Sequence, residues 1–492
     1  MSLCKIVIQD EVNCKITNLD LNLRKKLVNQ FKYEIPGARY LPAVRLGRWD
    51  GKVAFFNLGG TTYINLLPEI LPVLDAHGYH YELEDLRQER NPFVFPKIEK
   101  DEHRGIKWPA GHFKEGQDIE LDDHQVEVIN SFFENHQSMT QASTGAGKTI
   151  ITATLSKHVE PYGKSLVIVP NKSLVTQTEA DYKLIGLDVG VFFGDRKEVG
   201  HAHTICTWQS LSSITRAARK GEESKYELSD IIDGVVCVIV DECHSVKGDD
   251  LKSLLGGALA HIPLRWGLTG TIPKEKFAAT ALKVCVGDVV SRVTAAELQE
   301  KGFLSNCHVN IVQLQDHAEF KTYQQELAYL VGNDDRLAYL AELTAKIAAD
   351  NNTLILVDRI ATGQLLQAYL TEVLQTEVSF VSGSTKGSKR TEEYKSVASS
   401  DGKVIISTYG VAAVGLNIPR IFNLVMLEPG KSFVRVIQSI GRGLRKAHDK
   451  DHVEIWDITS SCKFSKRHLT QRKAFYAEAD YPYSIEKVDW KK

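Results

Sequence analysis

The heptapeptide Ser143-Thr144-Gly145-Ala146-Gly147-Lys148-Thr149 limits what this chain can fold into more than any other stretch. Gly145 and Gly147 let the backbone turn tightly enough to aim N–H groups at phosphate oxygens. Lys148 supplies a point charge for β- and γ-phosphates, and the Thr149 hydroxyl can join the water-completed shell of a Mg²⁺ ion. The apolar run Ile150-Ile151-Thr152-Ala153 follows at once, and a helix starting there would turn its positive end toward the same phosphates. The full pattern for such a loop has Gly at its first position, where this chain has Ala142.

A second signal, Asp241-Glu242-Cys243-His244, directly follows the apolar strand Val235–Val240. An acid at the carboxyl edge of a buried parallel strand lies beside a phosphate loop. Asp241 can hold the Mg²⁺ shell opposite Thr149, and Glu242 can take a proton from water attacking a γ-phosphate. An Asp-Glu pair alone carries little information; after a buried strand and downstream of the loop, it implies hydrolysis of ATP with Mg²⁺. Gly267-Leu268-Thr269-Gly270-Thr271 reads as a strand end and turn with hydroxyls capping a helix. In Gln438-Ser439-Ile440-Gly441-Arg442-Gly443-Leu444-Arg445, Arg442 and Arg445 share a face of one helix. They are placed either to reach a γ-phosphate across a cleft or to form a solvated basic helix.

Around these motifs run two alternations of apolar strands with helix-length polar segments. The first, from Leu121 to about Val290, holds Leu166–Val169, Val189–Phe193, Thr204–Thr207 and Val235–Val240. The second, from Phe303 to about Ile458, holds Val309–Val312, Leu354–Val357, Val378–Val381, Lys403–Ser407 and Asn423–Leu427, and has no phosphate loop. Short apolar strands at such spacing imply parallel sheets covered on both faces. The expected architecture is α/β: two tandem parallel-sheet motor domains over 96–300 and 301–460, a small α+β domain over 1–95, and an extension over 461–492.

Net charge is −2 over 492 residues, so affinity for nucleic acid must come from local patches. One lies between Arg24 and Lys52, where eight Lys or Arg face two acids. Asp50-Gly51 is a hairpin-turn signal that would gather Arg45, Arg48 and Lys52 around Trp49. That cluster is either a solvated basic face with Trp49 in a mini-core or a platform for phosphate and base contacts. From Ser461 onward eight Lys or Arg accompany four acids and many aromatics, which reads as a solvated, partly helical tail or a supplementary nucleic-acid contact. The eight cysteines include no CxxC pair, as expected of reduced thiols in a cytoplasmic protein. No apolar run reaches membrane-span length, and Met1–Lys5 lacks a signal-peptide layout.

Together the motifs resemble those of superfamily 2 helicases and translocases, in which two RecA-like domains clamp ATP. The resemblance runs from about Leu121 to Leu444. It implies that Gln125 reads the adenine, with His124 where an aromatic is usual, and that Ala142 through Thr149 form the phosphate loop, for which Ala142 is normal. Pro170 and Asn171, with Thr207, Trp208 and Gln209, would track a DNA strand. His244 would couple the nucleotide to Thr269 and Thr271. Thr408 on the DNA side and Gly415 on the ATP side would belong to a motif in which Asn417 replaces the commoner Asp. Gln438, Arg442 and Arg445 match the last motif. Arg45-Leu46-Gly47-Arg48-Trp49-Asp50-Gly51-Lys52, ahead of the core, resembles the small domain of phage UvsW-type branch-migration helicases. This turns the basic cluster toward DNA binding by Arg45, Arg48, Trp49 and Lys52.

That family implies remodelling of forks, Holliday junctions and displacement loops in recombination and fork rescue. It further implies backbone contacts to DNA, a monomer or weak oligomer, no membrane, and a host-cell cytoplasm if phage-encoded. Three other readings share parts of the pattern. An RNA helicase has the same core, though the motif here is DECH rather than DEAD. A restriction-type motor subunit also fits, though no PD…(D/E)xK nuclease signature is found. A non-enzymatic DNA-binding scaffold would require every catalytic position to be filled by coincidence.

Overall fold

The computed structural model describes residues 2–88, 92–109, 114–222, 225–244, 249–349, 351–385, 392–394, 396–397, 399–412, 420–430 and 449–491. Contacts divide the chain into one unit of Met1–Trp108, Gly116–Ala142 and Gly147–Arg292, and another of Pro109–Glu115, Ser143–Ala146 and Val293–Lys492.

The first unit begins with β1 (Ser2–Ile8) and β2 (Asn13–Thr17), an antiparallel pair. Cys4, Ile6, Ile8, Cys14 and Ile16 alternate inward, which leaves one face to water. β5 (Thr61–Tyr63) and β6 (Tyr79–Asp85) complete the sheet in the order β5-β2-β1-β6. Helix α1 (Leu21–Gln30) starts where the Asp20 carboxylate accepts the Leu23 N–H at 2.9 Å, and buries Leu23 and Leu27. Helix α3 (Leu67–Ala76) buries Ile70 and Leu74. A side ribbon pairs β3 (Lys32–Glu34) with β4 (Lys52–Ala54), Glu34 opposite Lys52.

Asp50-Gly51 does not make the expected tight hairpin. The chain leaves β3 through Gly37 at φ 79°, makes a 3₁₀ turn (Ala38–Tyr40) and a one-turn helix α2 (Pro42–Arg45), and returns through Gly51 at φ 73°. Pro42 starts α2, because its fixed φ suits a first helical position. Asp50 serves the return, with Lys32 Nζ at 2.6 Å and the Lys52 N–H at 3.1 Å.

This domain shares one apolar core with the block that follows, Phe55 meeting Phe277 at 5.9 Å between ring centroids. Asn13 Nδ2 donates to Gly256 O (2.9 Å), Gln137 Nε2 to Glu11 O (2.8 Å) and Asn65 Nδ2 to Lys283 O (3.1 Å). A short ribbon of β7 (His103–Lys107) and β8 (Asp118–Ile119) leads into the large sheet. Its strands are β9 (Gln137–Ala142), β10 (Lys164–Val169), β11 (Val189–Phe193), β12 (Arg196–Lys197), β13 (His203–Thr207), β14 (Val235–Asp241), β15 (Leu264–Thr269) and β16 (Asp288–Val293). They lie in the order β12-β11-β13-β10-β14-β15-β9-β16.

His103 points into the apolar side of α5 (Lys148–Val159), with Nε2 2.8 Å from Thr154 Oγ1. Burial, reinforced by the Lys157 charge, pushes its pKa down to about 4. The unfolded chain takes up this proton near pH 6.5 while the folded one refuses it. Stability is therefore complete above about pH 6.5 and declines toward pH 4. The urea midpoint should drop between pH 7.5 and pH 5, and His103→Gln should drop less over the same interval. An equal fall in both proteins would show that His103 is not the group responsible.

The second unit holds a seven-stranded parallel sheet of β17 (Asn306–Leu314), β18 (Thr353–Val357), β19 (Ser379–Val381), β20 (Val404–Thr408), β21 (Asn423–Leu427), β22 (His452–Ser460) and β23 (Tyr483–Val488). Its order is β19-β20-β18-β21-β22-β17-β23. Leaving out the edge strands β12, β16 and β23, both large sheets run third-fourth-second-fifth-sixth-first in chain order. The two blocks are thus tandem copies of one RecA-like α/β architecture.

Residues 461–492 are not the solvated tail expected from their composition. β23 pairs in parallel with β17 from Val309↔Tyr483 to Leu314↔Val488. The helix Lys463–Glu478 buries Ser465, His468, Leu469, Arg472 and Tyr476 on one face and leaves Lys466 and Arg467 exposed. Arg472 grips Asp457 through Nε (2.8 Å) and Nη2 (2.9 Å), and Trp490 Nε1 donates to Asp316 (3.0 Å). Among the described residues no helix is long and apolar enough to cross a membrane.

Candidate functional site

β9 ends at the buried Ala142, and the next regular element is α5, starting at Lys148. Between them Gly145 (φ 94°) and Gly147 (φ 75°) adopt conformations that side chains disfavour. A Cβ on Gly147 would come within 2.2 Å of Gln125 Nε2. Gln125 itself closes the capping box of α4 (Asp123–Glu134), where its Oε1 accepts the Asp122 N–H at 2.9 Å. Ser143 Oγ is buried and lacks a hydrogen-bond partner among the described residues. A buried hydroxyl without a partner in this glycine-rich loop is a donor that fits an anionic acceptor.

The adjoining strand end assembles the acids. Asp241 closes β14, is buried, and accepts the Glu242 N–H at 2.9 Å. Glu242 stands at φ 50°, a left-handed backbone that costs a non-glycine residue roughly 1–3 kcal/mol and clusters at functional sites. Lys148 Nζ reaches Glu242 Oε1 at 2.9 Å. His244 Nδ1 lies 2.8 Å from Thr269 Oγ1 and 3.2 Å from Glu242 Oε2. Thr269 Oγ1 in turn donates to Thr271 O (3.0 Å) and accepts the Thr271 N–H (3.2 Å). Lys148, Glu242, His244, Thr269 and Thr271 thus form one hydrogen-bonded chain. Gly267 makes room for it, since a Cβ there would sit 3.0 Å from Cys243 Sγ.

Burial pushes the Asp241 carboxyl up, against the pull of Lys148. It acts on Glu242 in the same sense, but Lys148 and His244 outweigh it and hold that carboxyl well below its usual range. Burial disfavours the charge on Lys148, and Glu242 with Asp241 more than restores it. No group of three or more His, Cys, Asp or Glu able to hold a metal occurs among the described residues. One carboxylate (Asp241) and one hydroxyl (Thr149) suit a Mg²⁺ ion that keeps waters and phosphate oxygens, rather than an all-protein cage.

Val169 and Thr207 are register partners on neighbouring strands, so Pro170-Asn171 and Thr207-Trp208-Gln209 emerge side by side at one carboxyl edge. Asn171 caps α6 (Lys172–Leu184) through Leu174 N at 3.0 Å, and Gln209 Nε2 approaches Pro170 O at 3.5 Å. Gln209 is exposed, while Trp208 is half-buried and packs on the core. In the second unit Thr408 ends β20 and is buried. Gly415, Gln438, Arg442 and Arg445 lie outside the described residues.

One buried group of the second unit has no counterpart among the motifs. Glu428 directly follows β21 at φ 44°, as Glu242 follows Asp241 at the end of β14. Arg336 Nη2 donates to its Oε1 at 2.5 Å. The signal was present in the sequence, an acid after the apolar run Leu424–Leu427, but no phosphate loop accompanied it.

Residues 118–274 match the family model described as type III restriction enzyme, res subunit, and residues 335–447 match the helicase conserved C-terminal domain. The two follow one another on a single chain, the first spanning the phosphate loop and the DECH motif, the second reaching Arg442 and Arg445. The chain belongs to the superfamily 2 helicases. This helicase is an ATP-hydrolysing enzyme. It is 24% identical over 469 residues to the ATP-dependent DNA helicase uvsW of Enterobacteria phage T4, across 90% of this chain and 88% of that protein. With the DNA 3'-5' helicase XPB of Kineococcus radiotolerans it shares 21% identity over 379 residues, 74% of this chain and 64% of that one. In fold it is similar to the ATP-dependent type ISP restriction-modification enzyme LlaBIII bound to DNA (TM-score 0.57, 16% identity), over 83% of this chain and 33% of that one.

Proposed function

We propose that this helicase is a DNA motor that remodels forks, Holliday junctions and displacement loops by branch migration, in recombination and fork rescue. The observation that carries the reading is the single apolar core joining the basic N-terminal domain to the ATP-binding block. A cationic surface built into the motor can hold a duplex arm while the motor draws on a strand. The similarity to the phage T4 uvsW helicase supports the same reading and suits a protein acting in a host-cell cytoplasm.

In the proposed cycle Lys148 and the loop N–H groups hold the phosphates, and Thr149 and Asp241 would bind Mg²⁺, which neutralises developing charge. Gln125 reads the base, with Gly415 on the nucleotide side. Lys148 cannot serve Glu242 and a phosphate at full strength at once, so nucleotide entry loosens the Lys148–Glu242 pair and frees Glu242 to activate water. His244, Thr269, Thr271 and Gln438 pass the change on, and Arg442 and Arg445 stabilise the transferring charge. Pro170, Asn171, Thr207, Trp208, Gln209 and Thr408 track one strand, and Arg45, Arg48, Trp49 and Lys52 hold the duplex. The domains proposed for these tasks are 1–95, 96–300 and 301–460.

Branched and linear duplexes should be compared with and without ATP. Forks and Holliday junctions should be resolved several-fold faster than blunt duplexes, and binding should weaken steeply with salt because phosphate contacts dominate it. Equal unwinding of plain duplexes would remove branch-migration specialisation. The restriction-enzyme name of the first matched family raises a nuclease motor as the second reading, and Mg²⁺-dependent cleavage of DNA would establish it.

A further inference from the structure

The excursion between β3 and β4 ends in an apolar tip. Tyr40 is 67% exposed, Leu46 65% and Leu41 44%. Around them stand Arg39, Arg45 and Arg48, all exposed. The Arg39 guanidinium lies 4.9 Å over the Tyr40 ring, with Nη2 2.9 Å from the Tyr40 hydroxyl. Neither Arg45 nor Arg48 forms an ion pair among the described residues, and nearby Asp50 is engaged by Lys32.

This tip is built rather than frayed. Ala38 is buried beneath it, and a Cβ on Gly51 would come within 2.9 Å of Ala38 Cβ. The Ile35 N–H donates to Gly51 O (2.9 Å), and Trp49 Nε1 donates to Lys52 O (3.1 Å). At the foot of the ribbon, Phe55 is fully buried against Phe277 and Lys252 of the ATP-binding block. The tip is therefore carried on a rigid arm of the motor.

We infer that the Tyr40–Leu41–Leu46 tip is a strand-separating wedge, which stacks on the last base pair at a branch point while Arg45 and Arg48 hold the flanking phosphates. The inference rests on the DNA-remodelling reading above and adds residues to it. Apolar side chains inserted at base steps, with cations on the backbone beside them, partly unstack and kink duplexes, which weakens the pair at a branch point. Aromatic stacking on a base tolerates any sequence, as a branch-migrating motor needs. Three arginines with no carboxylate of the tip to answer them favour a polyanion over a protein surface.

The test uses the full chain and a forked duplex carrying 2-aminopurine at its last base pair, with a linear duplex as control. Wild type should raise the 2-aminopurine fluorescence on binding and unwind the fork with ATP. The double variant Tyr40→Ala/Leu46→Ala should bind linear duplex within about twofold of wild type and keep its DNA-stimulated ATPase. It should lose the fluorescence rise and unwind forks about tenfold more slowly, the size expected for loss of a stacked base. Tyr40→Phe should behave as wild type. If wild type unwinds forks and the double variant does so within twofold, the wedge is overturned and the DNA-remodelling reading stands. If wild type itself shows no preference for forks, both fall together.

Discussion

Glu242→Gln should bind ATP as well as wild type or better, and hydrolyse it about 10²–10⁴ times more slowly, the range expected for loss of a general base. Gln has nearly the shape of Glu and can keep the left-handed backbone and the contact with His244, so the active-site architecture should persist. It cannot accept a proton from water, and it no longer competes as an anion for Lys148. Lys148→Ala should behave differently, losing nucleotide affinity and turnover together, because the charge 2.9 Å from Glu242 is the one that would meet the phosphates. Fluorescent-nucleotide titration beside single-turnover hydrolysis separates the two. Hydrolysis by Glu242→Gln at the wild-type rate would remove Glu242 from the chemistry, whatever its geometry. Branch migration by Lys148→Ala would remove the ATP motor altogether.

The two variants also mark which parts of this protein are legible in sequence. The phosphate loop and the DECH motif can be read because each is set by local demands. Glycines must take positive φ at 145 and 147, and a buried strand must end in an acid. The apolar strands can be read because burial on both faces leaves little room for polar residues. What escapes is set by distant partners. Asp50-Gly51 carries a hairpin signal, yet Asp50 instead answers Lys32, and the turn widens into the exposed tip. The basic tail looks solvated because its composition does not reveal that Arg472 meets Asp457. Arg265 is the second residue of β15, where an apolar residue is expected. It is fully buried and donates to Leu255 O (2.6 Å), Leu259 O (2.7 Å) and Cys285 O (2.8 Å). These partners lie six, ten and twenty residues away and outside β15, so the alternation along the strand cannot find them.

The same logic makes Arg336 the residue whose removal should most damage the second unit. It is completely buried and holds Glu428 at 2.5 Å, Asp316 at 3.3 Å and Leu330 O at 3.0 Å. Asp316 also gathers Ser460 Oγ (2.7 Å) and Trp490 Nε1 (3.0 Å), which ties β17, β22 and the C-terminal strand together. Arg336→Ala strands two carboxylates in the interior, a change that costs about 3–5 kcal/mol. Burial already pushes the Glu428 carboxyl up, and Arg336 opposes it. Without the guanidinium the folded state should hold a proton on Glu428 that the unfolded chain releases near pH 4.5. A group with a raised folded pKa contributes stability below its unfolded pKa and loses it as pH rises. The deficit of Arg336→Ala should therefore be smaller at pH 5 than at pH 8. Urea unfolding at the two pH values, followed through the second unit, measures it. The double variant Arg336→Leu/Glu428→Gln should recover part of the loss at pH 8, because it removes one stranded charge. A deficit independent of pH, with no recovery in the double variant, would mean that Arg336 acts through packing alone.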